Sequence, residues 1–295
     1  MDSKKNILAQ LWALFLIVGP GLFCVGYTIG TGSVTSMIVA GSKYGTEYLW
    51  VVALSCLFSG VLMEAYGRFA LATGETAIHA FRKRFGAFFA LLVMIMVIAG
   101  QWCCLSGLVG LSSNAFYEGV NLYFPDFIAK YGSNARICGL IIAIVLLVSL
   151  YLIFWFGSYS RIDSVLVVLL GLISAGISSI LPSAMIAGYL QGDFRNGSME
   201  VRTPVFRVLT AIACLMGLIV PILGANPVTA QVATQVAQVF VLPLIIGGIT
   251  ILVNRKSLMK EHRAGIFLNL GLIASFGFSL VISWQALIGV IDLLK

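Results

Sequence analysis

Residues 208–254 form a run of 47 positions without a single Asp, Glu, Lys or Arg. The stretches 6–42, 48–63, 85–117, 137–160, 164–192 and 264–291 are equally free of formal charge. A helix needs about 20 apolar residues to cross a hydrocarbon core of about 30 Å, and its backbone groups then bond within the span. Composition agrees, with 60% hydrophobic and 10% charged residues among 295 and a mean hydropathy of +1.04. An average soluble domain carries roughly 25% charged residues. The sequence predicts an all-α polytopic membrane protein and excludes soluble enzymes and nucleic-acid readers.

Eight spans are expected, at about 8–29, 48–72, 88–112, 137–157, 164–190, 207–223, 229–253 and 266–290. The longest run holds two of them, divided where Pro221, Gly224, Asn226 and Pro227 interrupt the helix. The net charge of +7 sits between the apolar runs, where Lys and Arg select the cytoplasmic side. Met1 to Asn6, with Lys4 and Lys5, reads as a short cytoplasmic tail, and the apolar run behind it is too long for a cleaved signal peptide. Two basic clusters, His79 to Arg84 and Arg255 to Arg263, should share the cytoplasmic face. Seven crossings separate the second from a cytoplasmic N-terminus, so one odd step is needed between about 158 and 207. Either a span is miscounted there or an odd number is missing.

The six cysteines (Cys24, Cys56, Cys103, Cys104, Cys138, Cys214) form no C-x-x-C pair and read as small apolar core residues. His79 and His262 lie in basic loops far from any carboxylate cluster and read as structural or solvated. Phosphate-binding, zinc-protease and nucleophile-elbow motifs are absent, so no enzymatic activity and no cofactor are expected.

Chemistry concentrates in the first span. Gly26, Gly30 and Gly32 lie beside Thr28, Thr31, Ser33, Thr35 and Ser36. Glycine costs about 1 kcal/mol per helical position, and hydroxyls compete for backbone hydrogen bonds. Unwound spans of this kind carry substrate sites in secondary transporters, and the same small residues also permit close helix packing. Both readings stand on spacing alone. Farther on, Glu64 and Arg68 are four residues apart on one helix face, expected as a structural or gating ion pair. Gln231, Gln235 and Gln238 form a polar stripe in an apolar span, a pattern that more often bonds helix to helix.

Gly19-Pro-Gly-Leu22, Gly26-Tyr27, the break at 30–33 and Ala40-Gly-Ser42 resemble the first span of the NRAMP (natural resistance-associated macrophage protein) divalent-metal transporters. The likeness continues through Leu49-Trp50, Arg68 and Thr73-Gly74, then Thr234-Gln235-Val236, Leu242-Pro243 and 255–265. The resemblance implies a LeuT-like fold of two inverted five-helix repeats with a midplane site at broken helices. Residues 1–190 would form the first repeat, and 191–295 a three-helix remnant of the second. The implied function is secondary transport of a divalent cation (manganese, iron or magnesium), with proton coupling left open. Thr31, Ser33 and Gln235 would be side-chain ligands, supplemented by the backbone carbonyls of Tyr27 and Thr28, with Gly30 in the same broken stretch.

The chain also departs from the family pattern. Gly30-Thr31-Gly32-Ser33 stands where the family has Asp-Pro-Gly-Asn, so no carboxylate is supplied. The third span carries Gln101, Ser106 and Asn114, polar relay candidates, where the family has acids. The Met-Pro-His motif is missing and spans six to eight with it, which is the odd step that the charges require. Two alternatives follow: a transport-inactive fragment or partner subunit, or a transporter of a neutral organic solute. The expected partners are the lipid bilayer and the divalent cation, with no nucleic acid, and oligomerisation is left open.

Overall fold

A computed structural model describes residues 31–126, 128, 134–156, 175–197 and 203–293. The described residues are helical, with no strand among them. In chain order the helices are α1 (Thr31–Tyr44), α2 (Leu49–Thr73), α3 (Ala77–Phe85), α4 (Ala87–Tyr123), α5 (Ala135–Phe156) and α6 (Ala175–Asn196). There follow α7 (Pro204–Gly217), α8 (Ile219–Leu223), α9 (Pro227–Val239), α10 (Leu242–Asn254), α11 (Lys256–Met259) and α12 (Ile266–Leu293). A 3-10 turn at Lys260–His262 follows α11.

Four of these segments are long and apolar enough to cross a membrane: Leu49–Thr73, Ala87–Tyr123, Pro204–Leu223 and Ile266–Ile288. A fifth is gained if Leu242–Asn254 and Lys256–His262, bent by 62°, count as one span. The expected first span at 8–29 lies outside the described residues, as does most of the first half of 164–190. The expected span at 229–253 is built of two helices, α9 and α10, joined by a tightened turn at Phe240 and Val241. Pro243 explains the restart. It has no N–H to donate and sits at the start of α10, where that N–H would be unsatisfied anyway.

The division of the long run falls where the local residues put it. Gly224, at φ 65°, closes α8 with its N–H on the Val220 carbonyl at 3.0 Å. Asn226 then opens α9, its Oδ1 accepting from the N–H groups of Val228 (2.9 Å) and Thr229 (3.4 Å).

The chain forms two compact units. One comprises Met37–Gln101, Ile186–Leu209 and Val232–Lys295. In it α2, α10 and α12 pack on one another, and Phe69, Phe81, Ile249, Leu252, Met259 and Leu272 are buried between them and α3 and α11. Burying each such side chain contributes about 1.5–3 kcal/mol in water. In hydrocarbon that drive vanishes and close packing must replace it. Small residues provide it: a Cβ on Gly248 would lie 2.8 Å from the Phe81 ring, and one on Gly271 2.8 Å from Val61. The turn after α10 is equally tight. Arg263 donates twice to the Asn254 carbonyl (3.1 and 3.0 Å), and the Asn254 amide reaches Asn269 Oδ1 at 2.6 Å.

The other unit comprises Met1–Ser36, Trp102–Met185 and Thr210–Gln231. Its core gathers Leu105, Leu108, Val109, Ala143, Leu147, Ile180 and Ala213. Here α8 rests on α5, and Arg136 donates to the Ile222 carbonyl at the end of α8 at 2.6 Å. The cysteine expectation holds in part. Cys104 is buried, whereas Cys56 and Cys103 are exposed because their helix faces point away from the packed core. No disulfide occurs among the described residues.

Candidate functional site

Where α9 stops and α10 restarts, one side of the turn opens on a cavity of about 330 Å³. Val239, Val241, Leu242 and Ile245 form its apolar wall, with Val97 from α4. Its polar lining is three amides: Gln101, Gln235 and Gln238. The junction is a tightened turn and not an unwound stretch: Val241 keeps helical dihedrals (φ -81°, ψ -28°), its N–H donates to the Gln238 carbonyl at 3.1 Å, and its own carbonyl accepts from the Ile245 N–H at 3.1 Å. Ser283 of α12 braces the turn from behind, donating to the Val239 carbonyl at 3.0 Å.

Gln235 and Gln238 share a face of α9 by helical spacing. Gln238 reaches the cavity because position 100 of α4 is glycine: a Cβ there would lie 2.7 Å from the Gln238 Cγ. Its Nε2 is buried without a hydrogen-bond partner, an uncommon state for a buried amide. The amide can rotate to present its oxygen instead, since the two ends are near-isosteric.

In the other unit, Gln231 stands in a different setting. It is fully buried, its Nε2 2.9 Å from Cys104 Sγ, in the space left by Gly107. The expected stripe therefore does two jobs: Gln231 joins one helix to another, and Gln235 and Gln238 face a cavity.

The remaining candidates scatter. Tyr27, Thr28 and Gly30 lie outside the described residues. Thr31 and Ser33 lie in the first turn of α1 as described. The relay candidates Gln101, Ser106 and Asn114 sit on α4 at spacings that turn them to different sides. Ser106 is buried and bonds its own helix, with Oγ 2.7 Å from the Cys103 carbonyl. Asn114 lines a second cavity, of about 510 Å³, with Ser113, Tyr117, Glu118 and Arg136.

Glu64 and Arg68 do pair, at 2.7 Å between Oε1 and Nη2, with a second bond from Nε at 2.9 Å. With only the described residues around it, the Arg68 side chain is 46% and the Glu64 side chain 52% exposed. In water such a pair contributes no more than about 1 kcal/mol. A lone Arg at the centre of a span costs about 2.5–3.5 kcal/mol. Glu64→Gln alone should therefore lower membrane yield, and the double variant Glu64→Gln/Arg68→Gln should recover most of it. Yield compared across the three chains checks this; equal loss in single and double variants would deny the pairing any role.

Sequence reasoning missed two features of the cavity, the turn at 240–241 and the part played by Gly100. Pro243 signalled the first. Nothing local signals the second, because it concerns two residues 138 positions apart.

The profile of the natural resistance-associated macrophage protein-like family matches residues 21–173 and 164–289. Together the two stretches cover most of the chain. The chain belongs to the NRAMP family. It is thus an integral, multi-pass membrane protein. Among curated proteins, this NRAMP chain is similar to the "Divalent metal cation transporter MntH" of Chromohalobacter salexigens, at 32% identity over 74 residues. That match spans 25% of the chain and 17% of the relative's length. No cluster of three or more His, Cys, Asp or Glu side chains exists among the described residues. A cation held here by this NRAMP protein would meet neutral oxygens.

Proposed function

We propose that this protein is a secondary transporter of a divalent cation and that Gln235, Gln101 and Gln238 line its binding cavity. The observation that carries the reading is their convergence at the turn between α9 and α10, in a chain of the NRAMP family that is also similar to a divalent metal cation transporter. Divalent cations of the magnesium and manganese type are bound by oxygen ligands and release water reluctantly. At roughly 30 Å³ per water, a 330 Å³ cavity has room for a cation with its inner water shell. Neutral amides suit such a partly hydrated ion, since they can accept from or donate to its waters. The family resemblance adds Thr31 and Ser33, with the backbone carbonyls of Tyr27 and Thr28, as candidate ligands in their own right, and the coupling ion is a proton or none.

The fold proposed is the LeuT-like inverted repeat with eight spans and a cytoplasmic N-terminus. The two family matches share residues 164–173, which supports a join in the family pattern within the expected fifth span. The basic clusters then fall on one side. Single cysteines at the exposed Arg84 and Ser257, in a cysteine-free chain, should both label from the cytoplasmic face with an impermeant thiol reagent. Labelling from opposite faces would sink the eight-span arrangement.

A second reading has its own support: the absence of the Met-Pro-His span leaves half of the family site unsupplied, as in a transport-inactive fragment or partner subunit. Uptake of Mn²⁺ into liposomes containing the purified full chain separates the two. Saturable uptake competed by Mg²⁺ or Fe²⁺ supports the transporter. Uptake equal to empty liposomes supports the fragment, and uptake of a neutral amino acid insensitive to Mn²⁺ supports an organic-solute carrier.

A further inference from the structure

In the unit formed by 37–101, 186–209 and 232–295, both basic segments gather at one end. α3 follows directly on α2, and α11 packs against α2 after the elbow that ends α10. Phe81 of α3 and Met259 of α11 are buried in the same core as Phe69, from the last turns of α2. With the inner faces of α3 and α11 held in this way, the side chains they turn outward are held too.

That outer surface is cationic. Residues 75–84, 193–195 and 255–263 hold eight Lys or Arg and three carboxylates. Two of the carboxylates are already engaged. Glu75 pairs with Lys83 at 2.6 Å. Asp193 is buried at the end of α6, where the Thr76 hydroxyl and the N–H groups of Ile78 and His79 donate to it, so that it caps α3. Three of the cations are engaged as well. Besides Lys83, Arg82 donates to the carbonyls of Phe194 (2.6 Å) and Arg195 (3.2 Å), and Arg263 to that of Asn254. Arg84, Arg195, Arg255, Lys256 and Lys260 remain. All five are exposed, and their side chains make no hydrogen bond or ion pair with any described residue. Of the three carboxylates, Glu261 is left to oppose them.

Apolar side chains stand directly beside these cations. Phe88, four residues after Arg84 and just past the turn at Gly86 (φ 92°), is 81% exposed. Phe267, at the start of α12 and seven residues after Lys260, is 91% exposed, next to the exposed Ile266. Each basic segment thus leads through an outward-facing aromatic ring into an apolar span. A phospholipid has the same order along its length, phosphate first and acyl chain behind it. Aromatic rings at headgroup depth beside Lys and Arg fit that order.

We propose that this end of the molecule is a binding surface for anionic phospholipid: the five unpartnered cations hold the headgroups, and the acyl chains lie along Phe88 and Phe267. Each Lys or Arg close to an anionic lipid surface raises affinity about fivefold. A zwitterionic headgroup carries no net charge and gains little from the same surface. Gln101 lies about 20 Å along α4 from the start of that helix, so the lipid surface and the amide cavity are separate, and the proposal does not depend on what the cavity carries.

The test places a bimane fluorophore at Gly265, which is exposed and has nothing within 4 Å of an added Cβ. The full chain, otherwise free of cysteine, carries Gly265→Cys and is reconstituted in phosphatidylcholine. Phosphatidylglycerol with a nitroxide on its acyl chain is compared, as a quencher, with phosphatidylcholine carrying the same nitroxide at equal mole fraction. The expected result is at least about threefold stronger quenching by phosphatidylglycerol, relieved by unlabelled phosphatidylglycerol and unaffected by glycerol phosphate in solution. Arg84→Gln/Lys256→Gln/Lys260→Gln should bring the two lipids level, and Glu261→Gln should widen the difference. Equal quenching by the two lipids in the unmutated surface overturns the proposal and leaves the basic loops with sidedness as their only role. A triple variant that keeps the full preference overturns it as well. So does relief by glycerol phosphate, because the ligand would then be a free phosphate and not a lipid. Should the triple variant fail to fold, Lys256→Gln/Lys260→Gln carries the same test, with part of the preference expected to go.

Discussion

Gly107→Ala should yield little folded protein, and what folds should unfold at a markedly lower temperature. A Cβ at Gly107 would lie 2.4 Å from Gln231 Oε1 and 3.2 and 3.3 Å from the Gln231 N and Cα. The side-chain oxygen could swing aside; the backbone of α9 could not without moving the helix. Gln231 is fully buried, so any shift also disturbs its 2.9 Å bond to Cys104. Overpacking of this kind costs about 1–3 kcal/mol, and a disturbed buried hydrogen bond about 0.5–1.5 more. Against a total stability of about 5–15 kcal/mol that is a large fraction. The comparison is Gly60→Ala on α2, where nothing lies within 4 Å of the added carbon. Exchanging glycine for alanine in an open helical position should gain up to about 1 kcal/mol. Thermal unfolding in detergent reads both. Equal midpoints for the two variants would show that the helices are not held together at Gly107.

Gln235→Ala should weaken Mn²⁺ uptake into liposomes at least tenfold at low cation concentration, with the unfolding temperature nearly unchanged. The residue lines the cavity on a half-buried face of α9, so truncation removes an oxygen ligand without opening a hole in the dry core. Losing a bond to a charged partner costs about 1.5–3 kcal/mol, which corresponds to roughly 10- to 150-fold. Gly100→Val should imitate the loss by a different route, displacing the Gln238 amide from the same cavity. Undiminished uptake in Gln235→Ala would remove the amide cavity from the transport path. Loss in Gln235→Ala combined with full activity in Gly100→Val would narrow the ligand set to Gln235 and Gln101.

The parts of this molecule that could be read from sequence are those set by neighbours in the chain. Pro221, Gly224, Asn226 and Pro227 each act through their own backbone, so the division of the long apolar run was legible before any packing was known. The turn at 240–241 depends on a single proline inside an apolar run, and in a membrane helix such a proline need not end the helix. The division of labour along α9 was beyond reach. Gln231 and Gln238 have similar sequence surroundings, and they differ through what α4 presents to them and where a cavity lies. Asp193 was hidden for a related reason. It follows an apolar run and reads as a surface charge, and only the distant start of α3 makes it a buried cap. The exposure of Cys56 and of the Glu64–Arg68 pair was equally hidden, because hydropathy cannot distinguish a lipid-facing side of a helix from a core-facing one.

The connection from α10 to α12 has a practical consequence for anyone who wishes to follow this protein in a cell. Basic stretches between spans are the usual places to insert an epitope, a protease site or a fluorescent domain, on the assumption that they are slack. Residues 255–263 are not slack. Met259 is 1% exposed within the core, Lys260 takes a positive φ of 45°, and Arg263 is fastened to the carbonyl of Asn254. Lengthening this elbow would pull an anchor out of the helix bundle. A reporter is better placed at the exposed 46–48 corner between α1 and α2, whose side chains take no part in the buried core.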